Sequence, residues 1–124
     1  MSPDFGRSLA RQVVEVHEKM GGGPWRLVEI GPGRGLLAHD VVQGLAEWAP
    51  GARESLAELL LIELNPALRE VQQERLSQLD NPPRSRWIGA PEEHEPDGIP
   101  AIVIANELLD ALPFHVIARD DEGR

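Results

Sequence analysis

Cysteine is absent from the 124 residues, which removes disulfides, thiolate nucleophiles and cysteine-ligated zinc and agrees with a reducing cytoplasm. Positive charge is scarce, with 12 basic residues against 21 acidic ones and a formal net charge of −9. That balance opposes attraction to phosphate backbones, so no nucleic-acid partner is expected and a cationic substrate is favoured. No apolar run approaches the roughly 20 residues that a bilayer crossing needs, so no membrane span is expected. The opening MSPDFGRSLARQ has no apolar secretory core, and no transit-peptide pattern is visible. His17, His39, His94 and His115 contain no i, i+4 pair of the kind a helical zinc site uses, so no metal is expected. No serine stands in a G-x-S-x-G context, which leaves a serine hydrolase without support.

What is present is an ordinary globular composition, 41% hydrophobic and 27% charged, in a chain long enough for one core. Phe5, Leu9, Val13, Val16 and Met20 recur at helical steps, which predicts a helix over residues 4–20 that the glycines at 21–23 stop. A helix over residues 36–48 is expected to turn Leu37, Val41, Leu45 and Trp48 inward and to end at Pro50 and Gly51. Residues 57–64, nearly continuous in apolar side chains, read as a strand covered on both faces. Asn65 as N-cap and Pro66 at the first position open another helix, which presents Leu68, Val71, Leu76 and Leu79. Further strands are expected at 86–88, 101–105 and 114–118, with Glu92, Glu93, Glu95 and Asp97 simply solvating the loop between the first two. Strands alternating with helices imply an α/β fold with a parallel sheet and right-handed crossovers.

The most informative stretch is residues 27–35, LVEIGPGRG. An apolar strand there runs through Glu29 into Gly31, Pro32, Gly33 and Gly35, and glycine at every second position lets the turn approach a ligand. A dinucleotide fingerprint is G-x-G-x-x-G with an acid about 20 residues further on. This chain has G-x-G-x-G, with Leu36 where the third fingerprint glycine would stand. A carboxylate two residues before the turn would repel a pyrophosphate yet suits a ligand carrying an ammonium and a sulfonium. S-adenosyl-L-methionine (SAM) carries both.

Glu63, at the end of the next strand, can accept hydrogen bonds from both hydroxyls of a ribose, with Leu64 flanking the adenine. Residues 106–113, NELLDALP, place Asn106, Glu107 and Asp110 just after a buried strand. Asn106 is read as bordering cofactor or substrate, and the two acids can hold a guanidinium and aim one nitrogen at a methyl group. An N-cap and first-turn acid would be the plain structural reading of the same residues.

LVEIGPGRG, LIELNPALREVQQERL and IVIANELLDALPFHVI occur in the order found in the MidA-like SAM-dependent methyltransferases, which the chain resembles over nearly its whole length. The resemblance implies a Rossmann-like class I methyltransferase sheet with flanking helices. Residues 1–23 would form a helix leading into it, and 24–124 part of the SAM-binding domain. It also implies that Glu29, Gly31, Gly33 and Gly35 line the methionine part of SAM and that Glu63 holds the ribose, with Pro32 of the same turn counted among the cofactor-binding residues. Asn106 and Glu107 would then border the transfer site, with Asp110 close behind. Methyl transfer to an arginine of a protein substrate would follow, as in the family's mitochondrial member, which assists respiratory complex I assembly. The expected location is the bacterial cytoplasm, or the mitochondrial matrix in a eukaryote. Family members continue well past Phe114, so the sequence reads as truncated at its C-terminus, and an exposed sheet edge would favour homo-oligomers. Two competitors remain: a non-catalytic assembly protein on the same shell, and a nicotinamide-dependent oxidoreductase.

Overall fold

The computed structural model describes residues 3–105; the strand expected at 114–118, together with Asn106, Glu107 and Asp110, lies outside the described residues. The elements in chain order are α1 (Pro3–Lys19), β1 (Trp25–Ile30), α2 (Leu36–Trp48), α3 (Pro50–Ser55), β2 (Leu56–Ile62), α4 (Pro66–Ser77), β3 (Ser85–Ile88) and β4 (Ala101–Ala105). A 3₁₀ turn at Pro91–Glu93 lies between the last two strands. All strand pairs are parallel, in the order β3-β2-β1-β4. The α/β reading therefore holds.

Strand alternation sorts the sheet into two faces. Trp25 and Leu27 of β1, Leu59 and Leu61 of β2, and Ile102 and Ile104 of β4 pack with Leu9 and Val13 of α1 and Leu37, Val41 and Leu45 of α2 in the main core. Helices α1 and α2 come close through small residues: an added Cβ at Gly44 would lie 3.2 Å from Cβ of Ala10, and one at Gly6 would collide with Asp40. The opposite face gathers Val28, Leu60, Ile62 and Ile88 in a separate cluster.

Two local expectations need correction. Trp48 is 51% exposed instead of inward, its ring lying under the guanidinium of Arg11 at 5.4 Å. Pro50 and Gly51 end α2 after Trp48 as expected, and they also open the short α3, with Pro50 at the first position, which tolerates a missing N–H. On α4 the buried residues are Gln72 and Leu76, whereas Val71 is exposed. Leu76 and Leu79 of the expected stripe do turn to the core, but the place given to Val71 belongs to the polar Gln72.

The order β3-β2-β1-β4 also marks where a ligand belongs. Successive strands step outward from β1 to β2 to β3, and the chain then returns to the other side of β1. At such a reversal the connections diverge, leaving a crevice outside the carboxyl ends of the strands. By that rule a ligand is expected above β1 and β4, where the glycine turn follows β1.

Candidate functional site

Three glycines shape the turn after β1. Gly31, Gly33 and Gly35 take φ of 67°, 58° and 80°. The Gly31 N–H donates to the Ile62 carbonyl (3.2 Å) and the Gly35 N–H to the Pro32 carbonyl (2.9 Å), so the turn is tied both to β2 and to itself. Gly35 is the N-cap of the 13-residue α2, and no side chain caps that helix. Its amino end carries the positive end of the helix dipole at the glycine turn.

Gly33 and Gly35 are glycine for different reasons. A Cβ at Gly33 would meet nothing within 4 Å, so the position borders open space. A Cβ at Gly35 would lie 3.3 Å from Cα of Gln72. Both substitutions to alanine carry the strain of positive φ, on the order of 1 kcal/mol. Gly35→Ala adds a contact with helix backbone that cannot swing away, so it is expected to lower the thermal midpoint clearly more than Gly33→Ala. Equal shifts in a thermal melt would contradict the close approach of α4 to the turn.

Glu29 sits at the carboxyl end of β1, opposite Leu61 of β2 and Ile104 of β4, and is only 3% exposed. It shares the strand face of Trp25 and Leu27, the side of the sheet that α1 and α2 cover. A carboxylate so placed acts on a cation through little water, which strengthens the attraction.

Glu63 follows β2. Its N–H donates to the Ile88 carbonyl (2.9 Å) and extends the ladder by one step. Its carboxylate is held at both oxygens: the Asn65 N–H donates to Oε2 (3.1 Å) and Gln72 Nε2 to Oε1 (3.1 Å). Asn65 caps α4 as expected, accepting from the N–H groups of Ala67 (2.8 Å) and Leu68 (3.4 Å). Leu64 is 78% exposed. Glu29, the glycine turn, Glu63 and Leu64 thus gather at neighbouring strand ends, while Asn106, Glu107 and Asp110 follow β4 outside the described residues.

A cavity of about 350 Å³ lies elsewhere among the described residues. It lies on the second face of the sheet against Val28, Leu60, Ile88 and Val103, with Arg26, His94 and Asp97 also lining it. The apolar part is strand surface that carries no helix among the described residues, and the polar part is neutralised by its own ion pairs, so size does not make it the ligand site.

Those ion pairs were not foreseen. Arg26, 4% exposed, donates through Nε to Glu58 Oε1 (2.7 Å) and with both terminal nitrogens to Asp97. Arg86 donates to the same Glu58 oxygen (2.9 Å), and the ring of His94 lies between the two guanidiniums, 3.2 Å from Arg26 and 3.0 Å from Arg86. Asp97 is therefore not a solvating loop acid; together with His94 it straps the β3–β4 connection across the second face. Glu93 likewise has a partner, the N–H of Gly89 (2.9 Å).

The network sets the charges. A hydrogen bond from Arg26 holds Asp97 down at about 2. Burial works to raise Glu58, but hydrogen bonds from Arg86 and Arg26 outweigh it and leave it lowered. Burial lowers His94, and the charges of Arg26 and Arg86 lower it further. Because all three are lowered, their stabilisation is present at neutral pH and lost on acidification: from His94 as pH falls below its ordinary 6.5, and from Glu58 and Asp97 below about pH 4. His94→Gln is expected to flatten the thermal midpoint between pH 7 and 5 while leaving the loss below pH 4. An unchanged slope in the upper range would contradict the placement of His94 between the guanidiniums.

Residues 8–124 match the family model described as "Putative S-adenosyl-L-methionine-dependent methyltransferase". The chain belongs to that methyltransferase family. Among curated relatives, the mitochondrial protein arginine methyltransferase NDUFAF7 homolog of Drosophila melanogaster is 31% identical over 133 residues, which cover 93% of this chain and 30% of the relative. The Caenorhabditis elegans homolog is 33% identical over 109 residues, 75% of this chain and 24% of the relative. Among solved structures, a Burkholderia thailandensis protein bound to S-adenosyl-homocysteine is similar with a TM-score of 0.69 and 31% identity over 98% of this chain and 33% of that one. A native structure from the same organism gives a TM-score of 0.66 at 29% identity. The chain thus spans between about a quarter and about a third of the length of these relatives.

Sequence reasoning singled out the glycine turn and Glu63 as candidates but not Gln72 or the Arg26 network. The signal for the network was two charged residues, Arg26 and Glu58, inside otherwise apolar strands. For Gln72 it was a polar residue spaced four from both Leu68 and Leu76.

Proposed function

We propose that the protein binds SAM at the carboxyl ends of β1 and β2 and transfers its methyl group to an arginine of a protein substrate. The observation that carries this reading is the joining of the glycine turn to Glu63 at the reversal in strand order, in a chain of this family. The residues present fit the cofactor: a Cβ at Gly33 would project into open space, and Glu63 offers an oriented carboxylate. Bound there, SAM would supply an electrophilic methyl group. Glu29 would attract the ammonium, Gly31, Pro32, Gly33 and Gly35 would admit the methionine part, Glu63 would accept from the ribose hydroxyls and Leu64 would cover the adenine.

Asn106, Glu107 and Asp110 are the residues proposed to border the transfer site. Carboxylates there would pair with a guanidinium and direct one nitrogen in line with the methyl group, so that positioning is the main contribution to rate. The net charge of −9 suits a cationic substrate. The proposed setting is the bacterial cytoplasm or the mitochondrial matrix, with a protein connected to respiratory complex I assembly as the substrate. Incubating the protein with methyl-labelled SAM and a cell extract tests this directly. Label on arginine of a protein, lost when Glu107 and Asp110 are both replaced by alanine, is the expected result; label retained in the double variant would overturn the proposed role of the two acids.

A further inference from the structure

We infer that Gln72 is a positioning residue for cofactor binding, one that holds the ribose-binding carboxylate and the glycine turn at a set separation without touching the cofactor itself. This rests on the proposed SAM site. Gln72 sits mid-helix in α4, facing inward with 0% exposure, at a place where an apolar side chain is the usual choice. A buried amide persists only when its polar atoms have partners. Here Nε2 donates to the Gly33 carbonyl (2.7 Å) and to Glu63 Oε1 (3.1 Å), and Oε1 accepts from Trp87 Nε1 (2.8 Å).

The chemistry of these partners settles which way the amide points. An indole nitrogen only donates, so the atom facing Trp87 must be the oxygen. The amide nitrogen is then turned to two acceptors, and both its hydrogens are used. Trp87, fixed in β3, therefore orients an amide that grips the glycine turn after β1 and the acid after β2. The grip is short because Gly35 lets the α4 backbone come close, with no Cβ between the turn and Cα of Gln72.

The consequence for Glu63 is specific. Gln72 occupies one lone pair of Oε1 and the Asn65 N–H one lone pair of Oε2. A carboxylate has about four acceptor positions, so one remains on each oxygen, matching the two hydroxyls of a ribose. Without Gln72 the carboxylate can rotate, and its pairing with two hydroxyls at once is weakened.

The test is a double-mutant cycle read by calorimetric titration with S-adenosylhomocysteine and with its 2′-deoxyribose analogue. Gln72→Met is expected to weaken S-adenosylhomocysteine binding roughly tenfold, as for loss of one hydrogen bond to a charged group, and to shrink the preference over the deoxy analogue. In a Glu63→Ala background the same substitution should change affinity less than twofold. An equal loss in both backgrounds, or a lowered thermal midpoint with unchanged affinity and preference, would show a merely structural role and overturn the inference. Should Gln72→Met not fold, Trp87→Phe frees the amide oxygen and is expected to move affinity and preference in the same direction; no movement would count as the overturning result. If the unsubstituted protein binds neither ligand, the cofactor reading fails with this one, whereas binding without coupling defeats this one alone.

Discussion

Glu63→Ala lowers the affinity for S-adenosylhomocysteine roughly a hundredfold and shifts the thermal midpoint by only a few degrees. Two hydrogen bonds to a charged carboxylate are each worth about 1.5–3 kcal/mol, and part of that is recovered when water replaces them. The small stability change follows from what Glu63 touches inside the protein. The Asn65 N–H that it accepts from is exposed, and Gln72 Nε2 keeps the Gly33 carbonyl after the substitution. Titration calorimetry beside a thermal melt checks both halves. A melt that collapses while affinity per folded molecule is unchanged would make Glu63 a structural acid.

The second large effect is the reverse pattern, at the other end of the strands. Arg26→Met is expected to cost about 3 kcal/mol of stability, the scale for removing one partner of a buried pair, and to leave S-adenosylhomocysteine affinity within twofold. Glu58, whose side chain is 10% exposed, keeps Arg86 as a partner, but Asp97 loses the cation that ties the β3–β4 connection down. For a domain of this size that is a fall of roughly 10 °C in thermal midpoint. Calorimetric scanning with a binding titration on the same variant decides the matter. A midpoint within 2–3 °C of the original, well below the roughly 10 °C expected, would mean that the exposed Asp97 contributes nothing and that water serves Glu58 equally well. Acid sensitivity gives a second check, since without Arg26 the carboxyl of Asp97 is expected to return toward its ordinary 3.8.

How much of this was legible in the sequence depends on the kind of signal. Helix α2 was bounded correctly because Gly35 and Pro50 bracket it, and β4 because five apolar residues end at the polar Asn106. The glycine spacing and Glu29 pointed to the cofactor class through charge alone. Side chains that form contacts across the sheet were not legible. Arg26 and Asp97 are 71 residues apart, and nothing local distinguishes Asp97 from the acids around it that solvate the loop. Gln72 broke the apolar stripe of its helix, and reading Val71 in its place hid the amide that joins the glycine turn to Glu63. Trp48 misled for a similar reason: helical spacing turned it inward, while stacking with Arg11 keeps it at the surface.

The central claim is that acids at adjoining strand ends surround one cationic methyl donor. Titrating the folded protein with S-adenosylhomocysteine, and in parallel with NADH, tests it most directly. The account predicts saturable one-to-one binding in the micromolar range for the first and none for the second. No heat with S-adenosylhomocysteine from a protein that melts cooperatively, or tighter binding of NADH, would contradict it.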